Sequence, residues 1–110
     1  MNTTPIVQNH IIHQVFFWLN NGNIADDCAT LIKGINTLSA IDTILQITIG
    51  TPASTENRAV IDNSWQVSET LIFNDTAAQL IYQQHPIHQA FIKNYGHLWQ
   101  KVLVYDIKVV

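Results

Sequence analysis

The chain has 110 residues, of which 47% are hydrophobic and 12% charged, and its formal net charge at pH 7 is -3. This length fits one domain, spanning residues 1–110, with a core of its own, and the acidic balance without any basic run argues against nucleic acid as a partner. Average proteins carry about 25% charged residues, so a monomer this poor in charge would expose much apolar surface, and we expect an oligomer.

The single cysteine, Cys28, excludes an internal disulfide. Its place on the apolar face of a predicted helix favours a small buried hydrophobe over a reactive thiol. The N-terminus lacks the basic residues of a signal peptide, and the apolar run 11–19 is interrupted by polar residues and shorter than the ~20 residues of a membrane span. We therefore expect a cytoplasmic protein without a membrane partner.

The first predicted element is a strand over residues 10–19, HIIHQVFFWL, which is rich in β-branched and aromatic residues and ends at the turn sequence NNGN. Alternation divides its side chains between two faces. One face carries His13, Val15, Phe17 and Leu19, and the other carries His10, Ile12, Gln14, Phe16 and Trp18. Both faces are largely apolar, so both have to be covered.

A helix follows, with Asn23 as its predicted N-cap and Ile24 as its first residue. Its apolar stripe, at helical spacing, consists of Ile24, Cys28, Leu31, Ile32, Ile35 and Leu38. Gly34 interrupts the helix at a cost of about 1 kcal/mol relative to alanine. The sequence therefore predicts either close packing or fraying at this position.

Two further strands are predicted over residues 41–49 and 64–73, joined by a flexible surface loop over residues 51–63. Gly50 ends the first of these strands. In the second, one face is predicted to carry Trp65, Val67, Glu69, Leu71 and Phe73.

Asn74 or Asp75 is the predicted N-cap of a second helix, which Pro86 breaks because proline disfavours helical geometry before it. Pro86 also suits the first turn of a new helix, which Gly96 ends before a last strand over residues 100–109. The order βαββαβ predicts an α+β, ferredoxin-like sandwich of a four-stranded antiparallel sheet with helices on one face. Since the other face is apolar, we expect a homodimer through the sheet faces.

The segment 82–91, YQQHPIHQAF, places a tyrosine and two histidines around a proline. His10 and His13 leave opposite faces of a strand, and His85 and His88 lack a clean helical register, so no metal site is predicted. Histidine takes and returns protons near neutral pH. A tyrosine hydroxyl donates to a developing oxyanion, so acid–base chemistry fits this segment better than metal binding.

Together with HQVFFWL near the start and LWQKVLVYDI at the end, this segment resembles the stress-responsive A/B barrel family, often called Dabb. The resemblance covers residues 10–107 and depends mainly on the HPxHxxF pattern followed by an aliphatic strand with an aspartate. It implies a ferredoxin-like subunit that pairs into a dimeric α+β barrel, in agreement with the predicted order of elements. Most members of the family have no established activity.

A plant polyketide cyclase in that family uses a histidine and a tyrosine in a pocket between sheet and helices. The resemblance implies that His88 is a general base and Tyr82 an oxyanion donor, supported by His13 and Asp106, with Trp99 in the pocket wall. We expect these side chains to converge on one cavity. The loop 51–63 is longer here, and the first helix is aliphatic where the cyclase has aromatic residues, so the cyclase's substrate does not carry over.

Three functions stay open at this point. His85 and His88 could simply cap backbone groups freed by the proline; the cavity could bind a small apolar or carbonyl-containing molecule; or an enzyme could abstract a proton beside a carbonyl. Phe17 and His85 are further predicted ligand-binding residues, and no cofactor is predicted. His10 and His97 have no supporting context and are expected at the surface.

Overall fold

The computed structural model describes residues 5–21 and 25–110. The elements are β1 (Ile11–Leu19), α1 (Ala25–Asn36), β2 (Gln46–Gly50), β3 (Val67–Phe73), α2 (Thr76–Gln84), α3 (Pro86–Tyr95) and β4 (Trp99–Lys108), with short 3-10 turns after α1 and α3. The predicted α+β, ferredoxin-like fold is confirmed. The predicted N-cap Asn23 and the first helical residue Ile24 lie outside the described residues.

The four strands form one antiparallel sheet in the order β2-β3-β1-β4. β1 and β3 are central, so β2 and β4 are the two edges. In this register His13 of β1 lies opposite Leu71 of β3 and Asp106 of β4. Because directly opposed residues share a face of the sheet, all three side chains belong to the side on which the helices pack.

The core lies between this side of the sheet and the helices. Along β1 the helix-facing residues are buried and the alternate ones only half-buried, as predicted. Cys28 is half-buried against the core, and burial, followed by the nearby charge of Asp27, raises the pKa of its thiol. A Cβ added at Gly34 would lie 2.7 Å from atoms of the Tyr95 ring. Gly34 is therefore a point of close packing between α1 and α3.

The N-termini of α2 and α3 are both capped by a side chain. The Asp75 carboxylate accepts a hydrogen bond from the backbone N–H of Ala78 at 2.8 Å, which makes Asp75 the N-cap of α2. His85 is extended, with φ -69° and ψ 138°, and its Nδ1 accepts from the backbone N–H of Ile87 at 3.0 Å. Pro86 follows at the first turn of α3. The proline thus starts a new helix.

β2 is shorter than predicted because residues 41–45 do not join the sheet as a strand. The backbone N–H of Ile41 donates to the carbonyl of Leu38 at 2.9 Å, closing the 3-10 turn after α1. Ile41 is nevertheless buried in the core. Ile41 thus packs in the core although it belongs to a turn. The alternation of apolar residues in the sequence does not distinguish such a turn from a strand.

The long loop extends to residue 66, and β3 begins only at Val67. The Trp65 ring lies 5.0 Å from the Phe16 ring, on the face away from the helices, so the prediction that Trp65 shares a face with Val67 is wrong. The indole N–H of Trp18 donates to the Ser64 hydroxyl at 2.9 Å. The end of the loop therefore folds over part of the face that the helices leave open.

His10 is also placed differently from its prediction. Its side chain is buried, with a relative exposure of 7%, rather than at the surface. Its Nδ1 accepts from the backbone N–H of Val7 at 3.3 Å, and its carbonyl accepts from the backbone N–H of Val109. The segment before β1 turns back on the strand here, which no periodicity in the sequence indicates. His97 is exposed, as expected.

Candidate functional site

A cavity of about 350 Å³ lies between the helices and the helix-facing side of β1, β3 and β4. Small-molecule pockets usually occupy about 300–1,000 Å³. Val102 and Val104 of β4 line this cavity and remain about two-fifths exposed, at 38% and 43%. Its open side therefore runs along the edge strand β4, and a molecule from solvent has a direct route into it.

Three aromatic side chains form the apolar wall. The Phe17 ring lies 5.0 Å from the Trp99 ring, and the Phe91 ring stacks on Trp99 at 5.6 Å. Phe17 comes from β1, Phe91 from α3 and Trp99 from the start of β4. This wall offers a ligand large contact areas without hydrogen-bonding groups on the ring faces.

His13 and Asp106 form a hydrogen-bonded pair at the cavity. The Nδ1 of His13 lies 2.6 Å from Oδ1 of Asp106, with the imidazole buried and the carboxylate side chain about half exposed. A carboxylate can only accept, so Nδ1 carries the proton. In the neutral ring Nε2 is then the acceptor. The pair thus fixes both the orientation and the tautomer of His13.

Tyr82 stands between the two histidines. Its ring centroid lies 5.5 Å from that of His13 and 4.5 Å from that of His88, and its side chain is buried. Burial raises the pKa of Tyr82 far above its ordinary value, and the carboxyl groups of Glu69 and Asp106 raise it further. The phenol therefore keeps its proton and is a hydrogen-bond donor.

His88 is half-buried on α3 and lines the same cavity. Burial lowers the pKa of His88 below its ordinary value. A hydrogen bond with the backbone of Gln83 raises this pKa in part, and the charge of His13 lowers it further. At neutral pH the imidazole is thus uncharged and able to accept a proton. A neutral base and a protonated phenol therefore lie side by side.

Glu69 is a polar cavity residue that sequence reasoning did not single out. It lies on β3, lines the cavity and is only 2% exposed. Burial raises the pKa of its carboxyl to about 8. The signal was present in the sequence, since a glutamate stands at a helix-facing position between the buried residues Val67 and Leu71.

The structure brings most of the predicted site residues together. His13, Tyr82, His88 and Trp99 all line the one cavity, and Phe17 and Asp106 line it as well. His85 is not among the lining residues, which corrects its assignment as a ligand-binding residue. Its ring caps the first turn of α3, in agreement with the alternative that was left open for it.

The described part of the chain has neither a metal-binding cluster nor a membrane-spanning helix. No group of three or more histidine, cysteine, aspartate or glutamate side chains there is arranged to hold a metal ion. No helix within residues 5–21 and 25–110 has the length and apolar character needed to cross a membrane.

The sequence model of the stress responsive A/B barrel domain, Dabb, matches residues 11–109. A Dabb family protein with a ferredoxin-like fold from Mesorhizobium loti is 24% identical, with a TM-score of 0.75 and coverage of 94% of this chain and 99% of that one. A dimeric ferredoxin-like protein of unknown function from Thermobifida fusca is 14% identical, with a TM-score of 0.75 and 99% coverage of both chains. Hydroxynitrile lyase from Passiflora edulis is 18% identical, with a TM-score of 0.77 and coverage of 94% and 96%. No curated protein is significantly similar in sequence.

Proposed function

Because this chain belongs to the stress-responsive A/B barrel domain family, we propose that it binds a small, largely apolar molecule with a carbonyl group between its sheet and helices. The observation that supports this most is the convergence of a few polar groups, among them His13, Tyr82 and His88, on a cavity whose remaining lining is mainly apolar. Small-molecule sites are usually built in this way, with apolar walls for affinity and a few polar groups for orientation.

The chemistry of the polar end favours a carbonyl group. The Tyr82 hydroxyl is a donor that stays protonated, and a carbonyl oxygen is an acceptor with two lone pairs. The alkyl part of such a molecule would lie against Phe17 and Trp99. Burial of apolar surface contributes about 25 cal/mol per Å², so the wall supplies affinity and the polar end supplies orientation.

A straight-chain ketone tests this proposal. We expect 2-nonanone to bind in isothermal titration calorimetry, and Val104→Trp, which fills the open side of the cavity, to weaken binding by at least about tenfold. Tyr105→Trp is the matched control, because Tyr105 follows on the same strand but faces the other side of the sheet. Absence of 2-nonanone binding, or equal effects of the two variants, would count against a ligand site in this cavity.

Catalysis is the second candidate function, favoured by the contact of a neutral His88 with a protonated Tyr82. His88 would take a proton from the carbon beside the carbonyl, and Tyr82 would donate to the oxygen of the developing enolate. Hydroxynitrile lyase from Passiflora edulis shares this fold, which makes a lyase- or cyclase-type proton transfer the reaction class to test.

Exchange of the α-protons of nonane-2,4-dione in D₂O separates the two functions. An enzyme should exchange them faster than buffer, and His88→Ala should lower that rate by roughly 10²–10⁴. A binding protein should leave the exchange rate at the buffer value, with ligand affinity changed only a few fold by the same substitution.

A homodimer through the sheet faces is part of the proposed function. The open face keeps Tyr105 and Ile107 about half exposed, at 54% and 46%. Two of its central polar side chains are already paired, since the Thr70 hydroxyl donates to the Gln14 side-chain oxygen at 2.6 Å, so burying this face leaves that pair satisfied. The protein of the same fold from Thermobifida fusca is described as dimeric. A cytoplasmic location stays a prediction from the sequence.

A further inference from the structure

Glu69 has no role in the site as the sequence predicted it, yet it occupies a central position. It lies on β3 between Val15 of β1 and Ile49 of β2, on the side that faces the helices. Its Oε2 is buried and, within residues 5–21 and 25–110, has no hydrogen-bond partner. Buried polar atoms nearly always have a partner. An unpaired carboxyl oxygen at a cavity therefore points to a group that the cavity receives.

The groups around the cavity decide the charge of this carboxyl. His13 faces it from β1, Asp106 from β4, Tyr82 from α2 and His88 from α3. None of the described residues that line the cavity is a lysine or an arginine. The His13 ring already donates to Asp106. No cation in the wall thus compensates a charge on Glu69, and burial raises its pKa to about 8, so at neutral pH the carboxyl carries a proton.

We propose that the protonated carboxyl of Glu69 donates its O–H to the carbonyl oxygen of the bound molecule, and so restricts the ligand to hydrogen-bond acceptors. This inference rests on the proposed function, because it names the group that recognises the carbonyl in the same cavity. Glu69 and Tyr82 are close enough for the carboxyl to affect the phenol electrostatically. Two donors that line the same cavity match the two lone pairs of one carbonyl oxygen.

An amine is the competing ligand class for a buried carboxyl. An ammonium would ionise Glu69 and pair with it, but it brings three donors and needs three acceptors. The imidazoles of His13 and His88 offer nitrogen acceptors, but the side chain of Glu69 is only 2% exposed, so both charges of such a pair would lose their hydration. The desolvation of two buried ions can exceed their mutual attraction. The observed groups therefore favour a neutral acceptor.

Three probes of the same length separate these possibilities: 2-nonanone as acceptor, 2-aminononane as cation and nonane as hydrocarbon, each titrated calorimetrically from pH 6 to pH 9.5. We expect 2-nonanone to bind more tightly than the other two, and its affinity to fall as the pH rises through about 8. Glu69→Gln keeps an N–H donor, so it should bind the ketone within about threefold of the native protein and lose this pH dependence. Glu69→Met removes the donor at similar length and should weaken ketone binding by about tenfold while sparing nonane.

The outcomes that overturn the inference differ from the one that overturns the proposed function. Equal binding of 2-nonanone and nonane, unchanged by Glu69→Met, would show a ligand site in which Glu69 is not the recognising group. If 2-aminononane bound more tightly than 2-nonanone, and its affinity rose with pH, Glu69 would be a cation-binding residue. Binding of none of the three probes would remove the ligand site itself. Circular dichroism of both variants checks that each is folded, so that a loss of binding reports on the carboxyl.

Discussion

The Nδ1 atom of His13 lies 2.6 Å from the Oδ1 atom of Asp106, and the two residues are direct partners in the register of β1 and β4. The carboxylate on the edge strand thus contacts a buried imidazole, although the two residues are 93 positions apart in the sequence. Sheet pairing alone creates this contact. It leaves Nε2 of the neutral ring as the acceptor nitrogen of His13, the helix-facing histidine of the cavity wall.

In Asp106→Ala, His13 should no longer be restricted to one tautomer. Without the carboxylate, the neutral ring loses its preference for Nδ1–H, and long-range ¹H–¹⁵N spectra of the imidazole should show a mixed population. The free energy of unfolding should fall by less than about 1 kcal/mol, because Asp106 is half exposed and water screens the pair. Asp42→Ala, which removes an exposed carboxylate outside the cavity, is the control. An unchanged tautomer in Asp106→Ala would show that other contacts hold the ring.

Glu69 should make the protein less stable as the pH rises. The folded protein keeps a proton up to a pKa of about 8, whereas the unfolded chain releases it near 4.5. Between these values the folded state binds more protons, so the free energy of unfolding falls with pH, by at most about 1.4 kcal/mol per pH unit. Below 4.5 both states are protonated and above 8 both are ionised, so the effect levels off on either side.

Urea unfolding of the native protein and of Glu69→Gln between pH 4.5 and pH 9 measures this effect. The stability of the native protein relative to the variant should decline across the interval and then stay constant. Glu56→Gln removes an exposed glutamate of the loop and should leave the slope as it is. Parallel curves for the native protein and Glu69→Gln would mean that the carboxyl titrates normally in the folded state.

Gly34→Ala should destabilise the fold, although alanine is the better helix former by about 1 kcal/mol. The added Cβ would lie 2.7 Å from atoms of the Tyr95 ring, and that ring stacks on Phe91 in the cavity wall at 5.8 Å. Displacing packed aromatic rings costs about 1–3 kcal/mol, so we expect a net loss in thermal unfolding. Tyr95→Leu should relieve much of it in the double variant. A more stable Gly34→Ala protein would show that the ring shifts without cost.

Tyr105→Glu should dissociate the proposed dimer. Tyr105 is 54% exposed on the open face of the sheet, and a charge there would be buried without a partner in a sheet-to-sheet interface. Light scattering should give twice the chain mass of 12.4 kDa for the native protein and the chain mass for the variant. Leu80→Lys, at a similarly exposed position on α2, should stay dimeric. A native mass of one chain at micromolar concentration would rule out the dimer.

The parts of the fold that sequence predicted correctly are those that depend on local periodicity. The alternation of β1 placed His13 and Phe17 on the helix side because a regular strand fixes its faces by counting. Trp65 was misplaced because the chain has not yet entered β3 there, and counting fails outside the strand. The partner of His85 is a backbone group of its own helix, and only the folded structure distinguishes such a cap from a cavity residue.

Glu69 shows the limit for the site itself. Its helix-facing position followed from alternation, but its unpaired oxygen depends on what the neighbouring elements offer. The chain carries few charges, and no lysine or arginine reaches this cavity wall in the described residues. The spacing of residues along β3 predicts neither the unpaired oxygen of Glu69 nor the lack of a cation near it among the described residues.

The location of the ligand site is tested most directly by the three tryptophan indole signals in a titration of ¹⁵N-labelled protein with 2-nonanone. Trp99 lines the cavity between sheet and helices, whereas Trp18 and Trp65 lie in the groove on the opposite face. We predict that the Trp99 indole N–H shifts progressively and saturates, with accompanying changes at His13 and Glu69, while the Trp18 and Trp65 signals stay nearly constant. Shifts confined to Trp18 and Trp65, or no shift at any of the three, would contradict a carbonyl-binding cavity between the sheet and the helices.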